Sequence, residues 1–313
     1  MFNRGLVAFL LFLTLAACGR PDEVRPGFWV IEGPKGEKAW LLGTIHALPE
    51  PVEWRSATVD SAFREADLLV LEVADINNDA KTAKAFADLS RSPGLPPLAQ
   101  RVPDQLRAEL ADDLQKVGFR NGSLDAYETW AAALMLQNAL TSSRDNDTAN
   151  GIDRAVAKVW RGPVSEFEGA AAQLAIFDRL SEQQQQALLA AVLNEASDRT
   201  EQLRTLQAAW ARGDMDLIAR TTDKDFGQEP ALRDALLLTR NRAWTNRIES
   251  LLTRGAKPFI AVGAAHLAGK DGLPAMLADR GWKVTRLQEP CISRALPVTA
   301  RASPSWSSLE AWR

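Results

Sequence analysis

The sequence predicts an α/β fold, with a central sheet, flanking helices and a helical insertion. Short apolar runs typical of strands cluster towards the two ends of the chain, and long segments with helical periodicity fill the middle. The only two histidines of the chain stand in segments of one form, an apolar strand followed by Gly-x-x-His. These pseudo-equivalent arms are expected to meet at the carboxyl ends of the strands, the end at which open α/β sheets bind ligands.

Composition supports a folded domain and excludes several classes. The 313 residues, 46% of them hydrophobic and including 10 Trp, are too many and too apolar for a disordered chain or a disulfide-stapled miniprotein. Lys and Arg number 37 against 40 Asp and Glu, a formal net charge of −3 that offers no electrostatic reason to bind nucleic acid. Two Cys, neither in a CxxC pair, cannot build a Cys-rich zinc module or a disulfide framework.

At the amino terminus Arg4 supplies a positive charge, and residues 6–15 are mostly apolar. That stretch is too short for a membrane span but suits the core of a signal peptide. Leu15-Ala16-Ala17-Cys18 resembles the cleavage box of bacterial lipoproteins. The resemblance implies that residues 1–17 are removed and that Cys18 carries an acyl anchor; an ordinary secretory cleavage is the other reading. Gly19, where Asp would signal inner-membrane retention, points to the outer membrane of the cell envelope. Residues 18–27 then form a tether, 28–290 the domain, and 291–313 a loose tail; Cys291 is then a free thiol, an intermolecular bridge or inert, and its place after Pro290 favours the last.

Strands are expected at 28–32 and 39–42 as a hairpin across Gly33-Pro34-Lys35-Gly36, and at 68–73, 163–167, 258–262 and 283–287 as runs buried on both faces. Helices are expected at 58–66, 103–117, 124–140, 152–160, 181–196, 199–212 and 230–254, the last capped by Gly255. Ser181 and Gln184 fit a capping box, which makes the glutamine run 183–186 a solvated helix face.

The two arms are Gly43-Thr44-Ile45-His46 and Gly263-Ala264-Ala265-His266. A Gly at the end of a buried strand lets the backbone turn sharply and lets another group approach closely, so Gly43 and Gly263 would place His46 and His266 on loops. A loop-tip His266 contributes little packing, and His266→Ala would keep the fold. Glu72 lies in an apolar strand, where an ionised carboxylate needs a partner, a hydrogen bond or a metal. On a helical wheel Arg240 and Asn241 fall in the stripe of Leu237, Trp244, Ile248 and Leu251, so Arg240 points inward, towards a carboxylate or a substrate oxygen, with Asn241 as its hydrogen-bonding neighbour. Asp153 and Glu168 could also reach the site, although nothing in their spacing requires it.

Together these residues resemble the TraB, PrgY and GumN family, to which the animal Tiki proteins are related. The resemblance spans about 28–289 and rests on Gly43-Thr44-Ile45-His46, Glu72, Gly151-Ile152-Asp153, Glu168-Gly169 with Gln173-Leu174, Arg240-Asn241 with Trp244, and Gly263-Ala264-Ala265-His266-Leu267. It implies a fold like that of the erythromycin esterases and ChaN proteins, and a peptidase dependent on a divalent metal (Mn, Co or Zn) held by His46, Glu72 and His266. Arg240 would stabilise an oxyanion, with Gly43, Asp153, Glu168, Asn241 and Gly263 in support. Imidazole and carboxylate together suit those metals. Two alternatives stay open: a metal-free esterase-type hydrolase with a histidine general base, and a lipoprotein that binds a peptide or small molecule without turning it over.

Overall fold

Six strands form one sheet: β1 (Phe28–Glu32), β2 (Lys38–Thr44), β3 (Leu68–Leu71), β4 (Val164–Glu166), β5 (Pro258–Gly263) and β6 (Lys283–Arg286). Their order across the sheet is β4-β3-β5-β2-β1-β6. The pairs β4–β3, β3–β5 and β5–β2 are parallel, whereas β1 runs antiparallel to both β2 and β6. The computed structural model describes residues 24–141, 146–194, 199–227 and 229–287. The expectations placed on the leader, Cys18, most of the tether, Cys291 and the tail lie outside the described residues.

The apolar runs become strands because each carries residues that only a sheet interior removes from water. Leu41, Leu42, Leu69, Phe259 and Ile260 are fully buried, each such side chain contributing roughly 1.5–3 kcal/mol. The runs at 163–167 and 283–287 are strands, but not strands buried on both faces: β4 and β6 are the sheet edges, and Val164 is 47% exposed. An edge strand has a neighbour on one side only, so its apolar content does not report double-sided burial.

The helices are α1 (Ala57–Glu65), α2 (Asp79–Leu89), α3 (Arg107–Lys116), α4 (Thr129–Thr141), α5 (Ile152–Val159), α6 (Ala170–Asp178), α7 (Glu182–Asn194), α8 (Arg199–Arg212), α9 (Met215–Phe226), α10 (Pro230–Arg233), α11 (Thr239–Thr253) and α12 (Leu273–Asp279). A π turn over Asp234–Leu238 links α10 to α11, so the expected single helix 230–254 is interrupted. Gly255 does cap it, with φ +83° and its N–H on the Leu252 carbonyl. Helix α4 starts five residues later than expected, because Arg101 draws the Asp125 and Tyr127 carbonyls into its own hydrogen bonds. The capping box before α7 forms in both directions between Ser181 and Gln184. Gln185 departs from the solvated-face reading, being buried and bonded to the Trp130 N–H and the Leu180 carbonyl.

Two cores result. The sheet and the helices on it form the larger; Leu110 and Leu114 of α3, Leu136 of α4, and Leu189 and Val192 of α7 belong to a separate helical core. This second core is the predicted helical insertion. No helix among the described residues is long and apolar enough to cross a membrane.

Candidate functional site

Because β2, β5 and β3 are parallel neighbours, whatever follows their last residues emerges at one end of the sheet. His46 follows β2, His266 follows β5 in a short 3₁₀ turn over Ala264–Leu267, and Glu72 follows β3. The sequence therefore places three chemically capable side chains at one end, and the pairing order brings them together. A Cβ built on Gly263 would stand 3.3 Å from Glu72 Oε1, 3.7 Å from His46 Nε2 and 3.9 Å from His266 Cδ2.

Neither glycine of the two arms serves as a sharp turn. Gly263 has φ −50°, which any residue adopts, and Gly43 is a regular strand residue. What both provide is room. A Cβ on Gly43 would press on Ala264 at 3.3 Å, and one on Gly263 would fill the space that the imidazoles and the carboxylate share.

His46 is 65% exposed at the side chain, facing a cleft, and its Nδ1 lies 2.7 Å from Asp153 Oδ2. Asp153 reaches it because the His46 loop docks on the start of α5: the Ile152 N–H donates to the Ile45 carbonyl at 2.9 Å, and a Cβ on Gly151 would run into the His46 carbonyl. Crowding by protein atoms pulls the His46 pKa down, but the hydrogen bond and charge of Asp153, with Glu72 behind it, outweigh this and raise it to about 9.

His266 is buried, not a loop-tip residue. Its ring packs on Trp244 with centroids 4.3 Å apart. Its Nδ1 lies 2.6 Å from Asn241 Oδ1, and its Nε2 faces Arg240 Nη1 at 3.1 Å. Burial, reinforced by the Arg240 charge, lowers its pKa to about 3 despite the attraction of Glu72. The ring is therefore neutral, donating from Nδ1 to Asn241 and accepting at Nε2 from Arg240. Asn241, expected beside Arg240, is instead the partner of His266, and its own amide donates to the Asp271 carbonyl at 2.8 Å.

Glu72 is buried, which pushes its pKa up, yet the positive surroundings and the Gly263 N–H at 2.8 Å hold it down to about 2. Its other oxygen accepts from Arg240 Nη2 at 2.8 Å and from Gln173 Nε2 at 3.0 Å. Gln173 carried no signal of its own in the sequence; only its place behind Glu168-Gly169 marked it. Arg240 does point inward, and every one of its N–H groups is engaged. Nε and Nη2 hold Glu168 as a fork at 2.8 and 2.9 Å, Nη2 also holds Glu72, and Nη1 holds the Leu236 carbonyl and His266. Glu168 also accepts from Trp244 Nε1 at 3.1 Å. Burial opposes the charge on Arg240, but the two carboxylates more than compensate and raise its pKa. The expected oxyanion contact is therefore not available to Arg240, because a guanidinium has five N–H donors and all are committed.

For a divalent metal the donor chemistry suits: two imidazoles and a carboxylate face one space, and each imidazole is anchored through Nδ1 by a side-chain oxygen, the outer-shell arrangement of metal-binding histidines. As they stand, however, no group of three or more His, Cys, Asp or Glu among the described residues is spaced to hold a metal ion. The cleft beside His46 has a volume of about 270 Å³ and is shared by Glu72 and Asp153.

The chain is 26% identical over 247 residues to a protein of Shigella flexneri named "Uncharacterized protein YbaP", covering 78% of this chain and 89% of that one. It is 27% identical over 240 residues to the protein of the same name from Escherichia coli K12, covering 76% and 86%. No solved structure matches significantly. The family model described as TraB/PrgY/gumN matches residues 27–286, the span that carries both Gly-x-x-His arms, Glu72 and Arg240, and the chain belongs to the TraB/PrgY/gumN family.

Proposed function

We propose that the chain is a hydrolase of peptides that works with a divalent metal held by His46, Glu72 and His266. One observation carries the reading: the rings of His46 and His266 and the Glu72 carboxylate all lie within 4 Å of one point beside Gly263. His46 is fixed through Nδ1, which leaves its Nε2 for an ion or a proton, while His266, fixed likewise through Nδ1, would take an ion at Nε2 only by releasing Arg240 Nη1. A metal there supplies a water of lowered pKa and polarises the carbonyl to be attacked. The protein's own contribution is placement. Asp153 orients His46, Asn241 orients His266, and Arg240, locked between Glu72 and Glu168, holds the carboxylate against the sheet. The acyl anchor on Cys18 belongs to the same proposal, supported by the cleavage box in the sequence, and would fix the domain to the outer membrane.

A second reading has its own support. The contact of Arg240 with His266 Nε2 and the raised pKa of His46 describe a cluster that is complete without a metal. In a metal-free hydrolase the His46–Asp153 pair would carry the proton transfers. Metal counting separates the two. The full chain is incubated with Mn, Co or Zn and dialysed, and bound metal is measured beside cleavage of a mixed peptide library. About one ion per chain, lost in His46→Ala and in His266→Ala together with cleavage, is expected. Cleavage that persists in EDTA with no bound ion would overturn the metal and leave the dyad. Stoichiometric peptide binding without cleavage, unchanged in His46→Ala, would overturn the hydrolase. Cys18→Ala should move the protein from the membrane fraction to the soluble one, and a protein that stays in the membrane would overturn the anchor.

A further inference from the structure

Thr44 closes β2 two residues before His46, and its hydroxyl is buried with no hydrogen-bond partner, although the residue lines the cleft. An unpaired buried hydroxyl is destabilising, and native proteins keep few of them. The neighbouring strand shows what lies beside it. On one face of β5 the side chains shrink towards the site, from Phe259 through Ala261 to Gly263, and the register sets these against Trp40, Leu42 and Thr44. Across the other edge of β5, Ala261 stands opposite Leu71. The taper leaves a hollow in the sheet surface beside Glu72 and His46. Leu71, Val73, Ile76, Ala170, Leu174 and Ala261 give it apolar walls. Among its polar lining residues Thr44 is the one with a buried side-chain atom that lacks a hydrogen-bond partner, whereas Gln173 is already bonded to Glu72.

We propose that this hollow is the subsite for an apolar substrate side chain next to the bond that is cut, and that Thr44 is a positioning residue whose hydroxyl bonds the backbone of that same substrate residue. The inference deepens the peptidase reading and rests on it for the substrate class. The physical argument needs no metal. The apolar walls of the hollow gain from taking a side chain out of water, while the one buried hydroxyl among its lining residues that lacks a partner gains from a backbone N–H or carbonyl that arrives with it. A volume of about 270 Å³ suits a single large side chain and its adjoining backbone. The small size of Ala261 is what keeps the chamber open.

The test is binding, so that it does not depend on turnover. N-acetyl-leucinamide, N-acetyl-phenylalaninamide and N-acetyl-alaninamide are titrated into the full chain and followed by ligand-observed NMR. The leucine and phenylalanine probes are expected to bind about tenfold or more tightly than the alanine probe, from the area they bury. Ala261→Leu should abolish that preference by filling the chamber. Thr44→Val should weaken the leucine probe several-fold, with Thr44→Ser restoring it. The same Thr44→Val change should raise the thermal midpoint of the free protein, since it removes an unsatisfied hydroxyl at constant shape. A residue with a purely structural role would not lose binding while gaining stability.

Equal affinity for all three probes, no binding of any, or a preference that survives Ala261→Leu would each overturn the subsite. A Thr44→Val variant that binds as the wild type does would overturn the role of Thr44. If the probes bind as expected but no peptide is cleaved, the hydrolase reading fails and the subsite stands. If peptides are cleaved with no preference that Ala261→Leu alters, the subsite fails and the hydrolase stands.

Discussion

Gly263 is a glycine for want of space. Its backbone is in an ordinary extended conformation, so Gly263→Ala carries no conformational strain and removes freedom from the unfolded chain, worth roughly 0.4–1 kcal/mol in favour of folding. The added methyl, however, would stand 3.3 Å from Glu72 Oε1 and 3.7 Å from His46 Nε2, inside the space where metal and substrate oxygen are proposed to sit. The variant should lose bound metal and cleavage without gaining thermal stability, because Glu72, held by Arg240 and Gln173, has to give way to the methyl. A Gly263→Ala protein with wild-type metal content would overturn a metal bound in the space beside Gly263. At His266 the structure alters an expectation. Buried against Trp244 and bonded to Asn241, it contributes packing as well as chemistry, so His266→Ala is no neutral probe of the fold.

At the scale of elements, α11 is fastened to the end of β3 through one side chain. Arg240, Glu72 and Glu168 keep only 11, 10 and 14% of their side-chain surface exposed. Removing one partner from a buried ionic cluster leaves uncompensated charge, which costs about 3–5 kcal/mol. Arg240→Met should therefore lower the urea midpoint strongly and speed amide exchange along Thr239–Thr253. Adding Glu168→Gln should recover part of the loss, because one of the two stranded carboxylates is then neutral. Additive effects of the two substitutions would mean that the pair is not coupled. The wheel pattern revealed that Arg240 faces inward. It could not reveal the π turn just before it, because an i→i+5 turn leaves almost the same apolar spacing as an α-helix over so few residues. Helix α2 was invisible for a different reason: it has no buried residue, and without a buried stripe there is no periodicity to read.

For the whole molecule, the site makes stability depend on pH from both sides. His266 binds its proton at about 3 in the folded state against 6.5 ordinarily, so between those values the unfolded chain takes up a proton that the folded one refuses. Stability therefore falls as pH drops through that window. Glu72, about 2 against 4.5, contributes stability above pH 4.5 that is lost as pH falls towards 2. His46 acts in the opposite sense: its folded value of about 9 against 6.5 gives stability that is full below 6.5 and is lost as pH rises through 9. That contribution is reduced by the solvent reaching its exposed ring. The urea midpoint, followed from pH 3 to 9, should be highest near neutrality and fall on the acid side, with a shallower acid limb in His266→Gln. An acid limb identical in the variant would remove His266 as its cause.

The sequence by itself determined the strands at the two ends of the domain, most of the helices of the middle, both Gly-x-x-His arms, the strand glutamate and the inward face of Arg240. These are local properties, set by periodicity and by the cost of burying charge in an apolar run. Only the tertiary structure decided which strands lie side by side, and hence that β5 enters between β2 and β3 to put Glu72, His46 and His266 around one point. It also decided that Asp153 belongs to His46, Asn241 to His266, and Glu168 to Arg240. Those partners are separated by 25 to 107 positions in the chain, and no local pattern specifies a contact made only when distant segments pack.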